Sequence, residues 1–143
     1  MTDSVNVPCG FGPIIIEEPF TARIGPLYTK EDETGYRVGF FADSSHLNIE
    51  GVVHGGMLAT VADQAIGINV ARSSGERTDV LTVHLSIDYI GPAYEGDWVE
   101  ATTTLSKKDG RIRFGNCELR VGDRLVLKAS AVFTALRGRS VKA

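Results

Sequence analysis

Between Val53 and Ser73 the chain contains no proline, and the helix this stretch would form is apolar on nearly every side. Met57, Leu58, Val61, Ala65 and Ile68 share one broad stripe, while Gly56, Ala59, Thr60, Ile66 and Gly67 surround the opposite flank. A helix that is greasy all round must be buried, so the rest of the chain has to wrap it. One acid, Asp63, lies inside it, and no basic residue follows until Arg72. An unpaired buried carboxylate costs several kcal/mol, which makes Asp63 a candidate for chemistry rather than for packing. His54-Gly55-Gly56 stands at the start of the helix. Bare backbone N–H groups and the positive end of a helix dipole suit a polarised carbonyl or an oxyanion there. Nine steps make about two and a half turns, so Asp63 projects from the side opposite His54.

The flanking segments read as strands. Gly25–Lys30 and Tyr36–Ala42 are separated by the turn-prone residues 31–35, and a loop from Asp43 to Val53 carries Asn48 and Gly51. Val80–Ile90 alternates cleanly: Leu81, Val83, Leu85, Ile87 and Tyr89 are apolar, and Thr82, His84, Ser86 and Asp88 are polar. Trp98–Ser106, Arg111–Val121 and Arg124–Leu136 continue the pattern, with hairpin signals at Asp109-Gly110 and Gly122-Asp123. Gly115 interrupts its strand as a bulge would. The expected architecture is α+β: two strands, one buried helix and a four-strand antiparallel meander. A single domain spans residues 1–143, with residues 1–13 a loosely held lead-in and residues 137–143 a basic tail.

Composition narrows the function classes. A net charge of −3 argues against a nucleic-acid binder. No apolar run approaches the ~18 residues of a membrane span, and the polar start lacks a signal-peptide core, so a cytoplasmic location is expected. Cys9 and Cys117 are expected as free thiols. His46, His54 and His84 have no metal-type spacing, so neither metal nor redox cofactor is expected. Charge is segregated: residues 107–143 hold 10 of the 15 basic residues but 3 of the 18 acidic ones. Lys107, Lys108, Arg111 and Arg113 cluster at a turn, which reads either as a solvated hairpin or as a patch for a phosphorylated small molecule.

Asn48…His54-Gly55-Gly56…Asp63, followed by Ile87-Asp88-Tyr89-Ile90-Gly91-Pro92-Ala93 and Gly96-Asp97, resembles the hotdog-fold acyl-CoA thioesterases, in particular their PaaI-like (phenylacetate-pathway) branch. The likeness runs from about Gly25 to Leu136. It implies a hotdog domain, a curved antiparallel sheet around the central helix, assembled as a dimer and then a dimer of dimers with the site at the dimer interface. It implies that the Gly55 N–H polarises the thioester carbonyl and that Asn48 helps hold the carbonyl or the water. Asp63 from the other subunit would be general base or nucleophile, and Thr82 would position water. His54 is expected to shape the loop by donating a hydrogen bond, with Gly56 beside it at the substrate. Lys107, Lys108 and Arg111 would lie near the nucleotide of coenzyme A. The expected reaction is hydrolysis of small or medium acyl-CoA thioesters, aromatic ones included, to the acid and coenzyme A. A hotdog hydratase or dehydratase and a non-catalytic acyl-CoA binding domain are the alternatives.

Overall fold

The computed structural model describes residues 6–14 and 18–136. In chain order the elements are β1 (Gly12–Pro13), α1 (Pro19–Ile24), β2 (Tyr28–Asp32), β3 (Gly35–Phe41), a single 3₁₀ turn (Ser44–His46), α2 (Gly55–Arg72), β4 (Val80–Tyr89), β5 (Trp98–Lys107), β6 (Ile112–Val121) and β7 (Arg124–Ala135). The strands form one antiparallel sheet in the order β1-β2-β3-β5-β6-β7-β4, and α2 packs against β3, β4, β5, β6 and β7. This is the hotdog arrangement. Among the described residues no helix is long and apolar enough to cross a membrane.

Two expectations, on the meander and on the lead-in, need correction. The meander is three strands rather than four: β4 pairs with β7 at the sheet edge and not with its chain neighbour β5. Residues 90–97 form a long crossing segment, far beyond the short loop of a hairpin. The lead-in is not loose throughout, because Gly12 and Pro13 pair with Thr29 and Tyr28 and the Phe11 ring meets the Trp98 indole edge-on at 5.0 Å. Residues 1–5 and the tail 137–143 lie outside the described residues. The helix α1 falls outside every element expected from the sequence. Pro19 opens it, at the position where a missing N–H costs nothing, and the Thr21 hydroxyl bridges to the Glu18 backbone.

Close backbone approach seats α2 in the sheet. A Cβ on Gly115 would lie 2.8 Å from Ile66 Cγ2 and 3.0 Å from Leu105 Cδ2, so the glycine is what lets the helix settle onto β6. The bulge expected at Gly115 falls on the partner strand, between Leu105 and Lys107 of β5. Asn69, buried on α2, accepts from the Tyr36 N–H at 2.9 Å and donates to the Tyr36 carbonyl at 2.9 Å. Arg113, 4% exposed, donates from Nη1 to the Val70 carbonyl at 2.6 Å and from Nε to the Gly110 carbonyl at 3.1 Å. It therefore satisfies an orphan carbonyl of the last turn of α2, and is not part of the solvent-facing basic cluster in which its sequence position places it.

Candidate active site

The start of α2 is held by the loop before it. Asn48 Oδ1 accepts from the N–H groups of Glu50 (2.9 Å) and Val52 (3.3 Å), a turn that closes with the Asn48 N–H donating to the Val52 carbonyl at 2.8 Å. That leaves the Asn48 amide NH₂ without a hydrogen-bond partner among the described residues. His46, buried at 5% exposure, accepts at Nδ1 from the Asp43 N–H at 3.0 Å and donates from Nε2 to the Ile24 carbonyl at 2.6 Å. Its own carbonyl takes the His54 N–H at 2.8 Å.

His54 is the N-cap of α2, and its Nδ1 accepts from the Gly56 N–H at 2.8 Å. The imidazole thus shapes the helix start by accepting a hydrogen bond rather than donating one. The Met57 and Leu58 N–H groups bond to the His54 carbonyl at 2.9 and 3.2 Å. Of the first-turn donors, the Gly55 N–H alone has no partner among the described residues. Tyr89, which sequence reasoning placed in the alternation and in the family motif without a role at the site, packs its ring over Gly55, where a Cβ would come within 3.2 Å. Its hydroxyl donates to the Gly55 carbonyl at 2.8 Å.

Asp63 lies about 12 Å further along the axis, at 1.5 Å per residue, half-buried on the one flank of α2 that the sheet leaves open. Thr82 Oγ1 donates to its Oδ1 at 2.7 Å. Strict alternation would send Thr82 to the outer face with Ser86 and Asp88. A β-bulge prevents this: Thr82 faces Phe133 and His84 faces Val132, with Val83 the extra residue between them. The bulge turns Thr82 inward to the helix and leaves Leu81 and Val83 on the outside, 46% and 60% exposed. Burial pushes the Asp63 carboxyl above the ordinary carboxylate range, the Thr82 bond pulls it part of the way back, and the nearby charge of Glu18 pushes it up again. Glu18 itself accepts from Gln64 Nε2 at 3.3 Å. Neither Glu18 nor its approach to Asp63 is visible in the sequence, because α1 is too short to show a face.

A groove of about 220 Å³ runs from Asp63 and Thr82 along the helix between Ile68, Ala71, Val80 and Phe133, ending at Arg72 and Arg77. A wider cleft of about 480 Å³ opens beside His54 and Gly56, walled by Phe20, Ile24, Leu47 and Met57. Lys107, Lys108 and Arg111 stand at the other end of the molecule. Ser73, just past the C-terminus of α2, bonds to the Lys108 carbonyl, and Lys107 Nζ donates to Asp109 Oδ1 at 3.2 Å. The 18 residues of α2 put about 27 Å between this turn and Gly55. One chain therefore brings Asp63 and Thr82 together, and His54, Gly55 and Gly56 together with Asn48 in the turn of the preceding loop, but keeps these two groups and the basic turn apart. Among the described residues there is no cluster of His, Cys, Asp and Glu able to hold a metal ion.

The sequence pattern of the thioesterase superfamily matches residues 50–128. A candidate esterase of Pseudomonas aeruginosa is 37% identical over 130 residues, covering 90% of this chain and 97% of that protein. Acyl-coenzyme A thioesterase THEM4 of Rattus norvegicus is 35% identical over 124 residues, 85% of this chain and 51% of that one. The PaaI protein of E. coli, from the phenylacetic acid degradation operon, has the same fold, with a TM-score of 0.76 at 18% identity and 85% and 87% of the two chains covered.

Proposed function

The chain belongs to the thioesterase superfamily and is a thioester hydrolase, and on that premise we propose that it hydrolyses acyl-CoA thioesters in a site shared by two copies. The observation that carries this reading is the Asp63–Thr82 pair: a half-buried carboxylate held by one hydroxyl, with no cation bonded to it among the described residues, opening on a groove. In the proposed site the free Gly55 N–H of one copy polarises the thioester carbonyl, and the Asn48 amide of that copy donates to the carbonyl or the attacking water. Asp63 of the other copy acts as general base or nucleophile, with Thr82 orienting it and the water. Within one chain the ~12 Å between Gly55 and Asp63 is too far for both to reach one carbonyl, which favours the shared arrangement.

Pairing of the copies has a natural surface. Strand β4 is a sheet edge, and an uncovered edge is a template for another strand. The outer face beside it carries Leu81, Val83, Ile112 and Phe114, all at least 38% exposed; it would be the second interface in a dimer of dimers. A cavity of about 150 Å³ holds a benzene ring, so the 220 Å³ groove suits a small or medium acyl group, aromatic ones included. Lys107, Lys108 and Arg111 are the proposed partners of the coenzyme A phosphates.

The test is release of free thiol from a panel of acyl-CoAs. Asp63→Asn is expected to lower kcat by about 10²–10⁴. A variant as active as the wild type overturns the assignment of Asp63. A wild type that binds acyl-CoA tightly without releasing thiol favours the non-catalytic binding domain and overturns the proposed hydrolysis of acyl-CoA.

A further inference from the structure

The cleft beside His54 and Gly56 differs from the Asp63 groove in size and in charge. At about 480 Å³ it falls within the range of small-molecule sites, about 300–1,000 Å³, and the groove, at about 220 Å³, falls below it. Three carboxylates line the groove, those of Glu18, Asp63 and Asp79, against Arg72 and Arg77. None of the residues lining the cleft is acidic, and Arg23 is among them. Arg23 is exposed in the last turn of α1, with neither an ion pair nor a hydrogen bond among the described residues. Asp43, which caps the neighbouring 3₁₀ turn, already accepts from the N–H and the hydroxyl of Ser45. At the start of α2, His54 accepts at Nδ1, so the neutral imidazole carries its proton on Nε2. That donor has no partner among the described residues. The wall that bears Arg23 is fixed at both ends. The Ile24 carbonyl accepts from His46 Nε2 at 2.6 Å, and Glu18 accepts from Gln64 Nε2 at 3.3 Å.

We propose that this cleft takes the 4′-phosphopantetheine arm of the thioester's carrier, with Arg23 on its phosphate. The proposal rests on the acyl-CoA reading above and assigns the two ends of that substrate to two openings. The acyl group lies in the Asp63 groove of one copy, and the leaving thiol lies in the cleft of the copy that supplies Gly55. The chemistry of the arm matches the lining. Its amide carbonyls can accept from His54 Nε2, and its methylene and gem-dimethyl groups suit the surface of Phe20, Ile24, Leu47 and Met57. Its phosphate suits a guanidinium, which meets phosphate through two parallel N–H···O bonds, whereas the carboxylates of the groove repel it. The basic turn at Lys107 is left for the nucleotide phosphates, which the arm itself lacks. The helix α1 lies outside residues 50–128, the stretch that matches the superfamily pattern, so Arg23 is a feature of this chain beyond that pattern.

The test compares hexanoyl-4′-phosphopantetheine with hexanoyl-pantetheine, which differ only in the phosphate. The wild type is expected to favour the phosphorylated compound by roughly tenfold or more in kcat/KM, through KM, as hydrogen bonds to a charged group would give. Arg23→Gln should collapse that ratio toward one, and Arg23→Lys should recover part of it. Hydrolysis of both compounds at equal kcat/KM, or a preference that survives Arg23→Gln, overturns the proposal while leaving the thioesterase reading intact. The arm is common to coenzyme A and to acyl carrier proteins. A matching loss in Arg23→Gln on hexanoyl-CoA, or on a hexanoyl carrier protein, supports the proposal and names the carrier; no loss on either overturns it. Failure to hydrolyse any of these thioesters overturns the acyl-CoA reading, and calorimetry with 4′-phosphopantetheine and pantetheine then decides the role of the cleft. Roughly tenfold tighter binding of the phosphorylated compound, dependent on Arg23, supports it; equal binding overturns it.

Discussion

Asp63 sits in surroundings that oppose its ionisation, and the sign of each influence can be measured. Only the carboxylate can act as base or nucleophile, so the acid limb of kcat/KM should lie above the ordinary aspartate value of 3.8. Glu18→Gln removes a negative neighbour and should move that limb down. Thr82→Val removes the bond that favours the carboxylate and should move it up. The stability consequence has the same origin. A carboxyl whose folded pKa is raised stabilises the fold below its unfolded pKa, and that contribution is lost as pH rises through the folded value. Asp63→Asn should therefore raise the Tm at pH 7 while abolishing turnover, and a lowered Tm would show that the carboxylate is structural.

At the scale of elements, the folds of the sheet depend on where a Cβ is missing. The Trp98 indole lies across β3 so closely that a Cβ on Gly39 would be 2.2 Å from its Cζ2. Gly39→Ala should destabilise by about 1–3 kcal/mol, as overpacking does, read as a fall in the urea midpoint. The strands β5, β6 and β7 were legible to within a residue or so because one face is buried and period two follows from that. The position of β4 was not: pairing partners are set by the whole sheet, and the alternation in residues 80–90 looks the same at an edge. The Val83 bulge was hidden for a sharper reason. Thr82 reads as an ordinary polar member of the series, and only the shift in register between Thr82 and His84 turns it onto Asp63. Deleting Val83 should restore unbroken alternation, rotate Thr82 outward and cost activity while β4 still pairs. His54, Gly55 and Asp63 were readable because a greasy helix makes its exceptions conspicuous. Glu18 was not, since it matters only through Asp63 and Gln64, distant in sequence.

For the whole molecule, the proposed sharing of Gly55 and Asp63 between two copies would make activity a property of pairs of chains. Proline is tolerated at the first position of a helix, so Gly55→Pro removes the proposed carbonyl donor while its ring presses on Tyr89, which must give by a few tenths of an ångström. Asp63→Asn removes the base. Each variant alone should be inactive. Refolded together in equal amounts they should regain about a quarter of wild-type activity, since half of the random dimers are mixed and one of their two sites is intact. Activity no higher than either variant alone would place the whole site within one chain.

The imidazole cap on α2 has an effect on traffic through such a site. With the Gly56 N–H taken by His54 Nδ1, the helix start offers one vacant donor where an uncapped helix offers several. A single donor greets a lone carbonyl oxygen but gives a poor seat to a two-oxygen anion. In the proposed site, the acid released by hydrolysis would therefore be held less well than its thioester precursor.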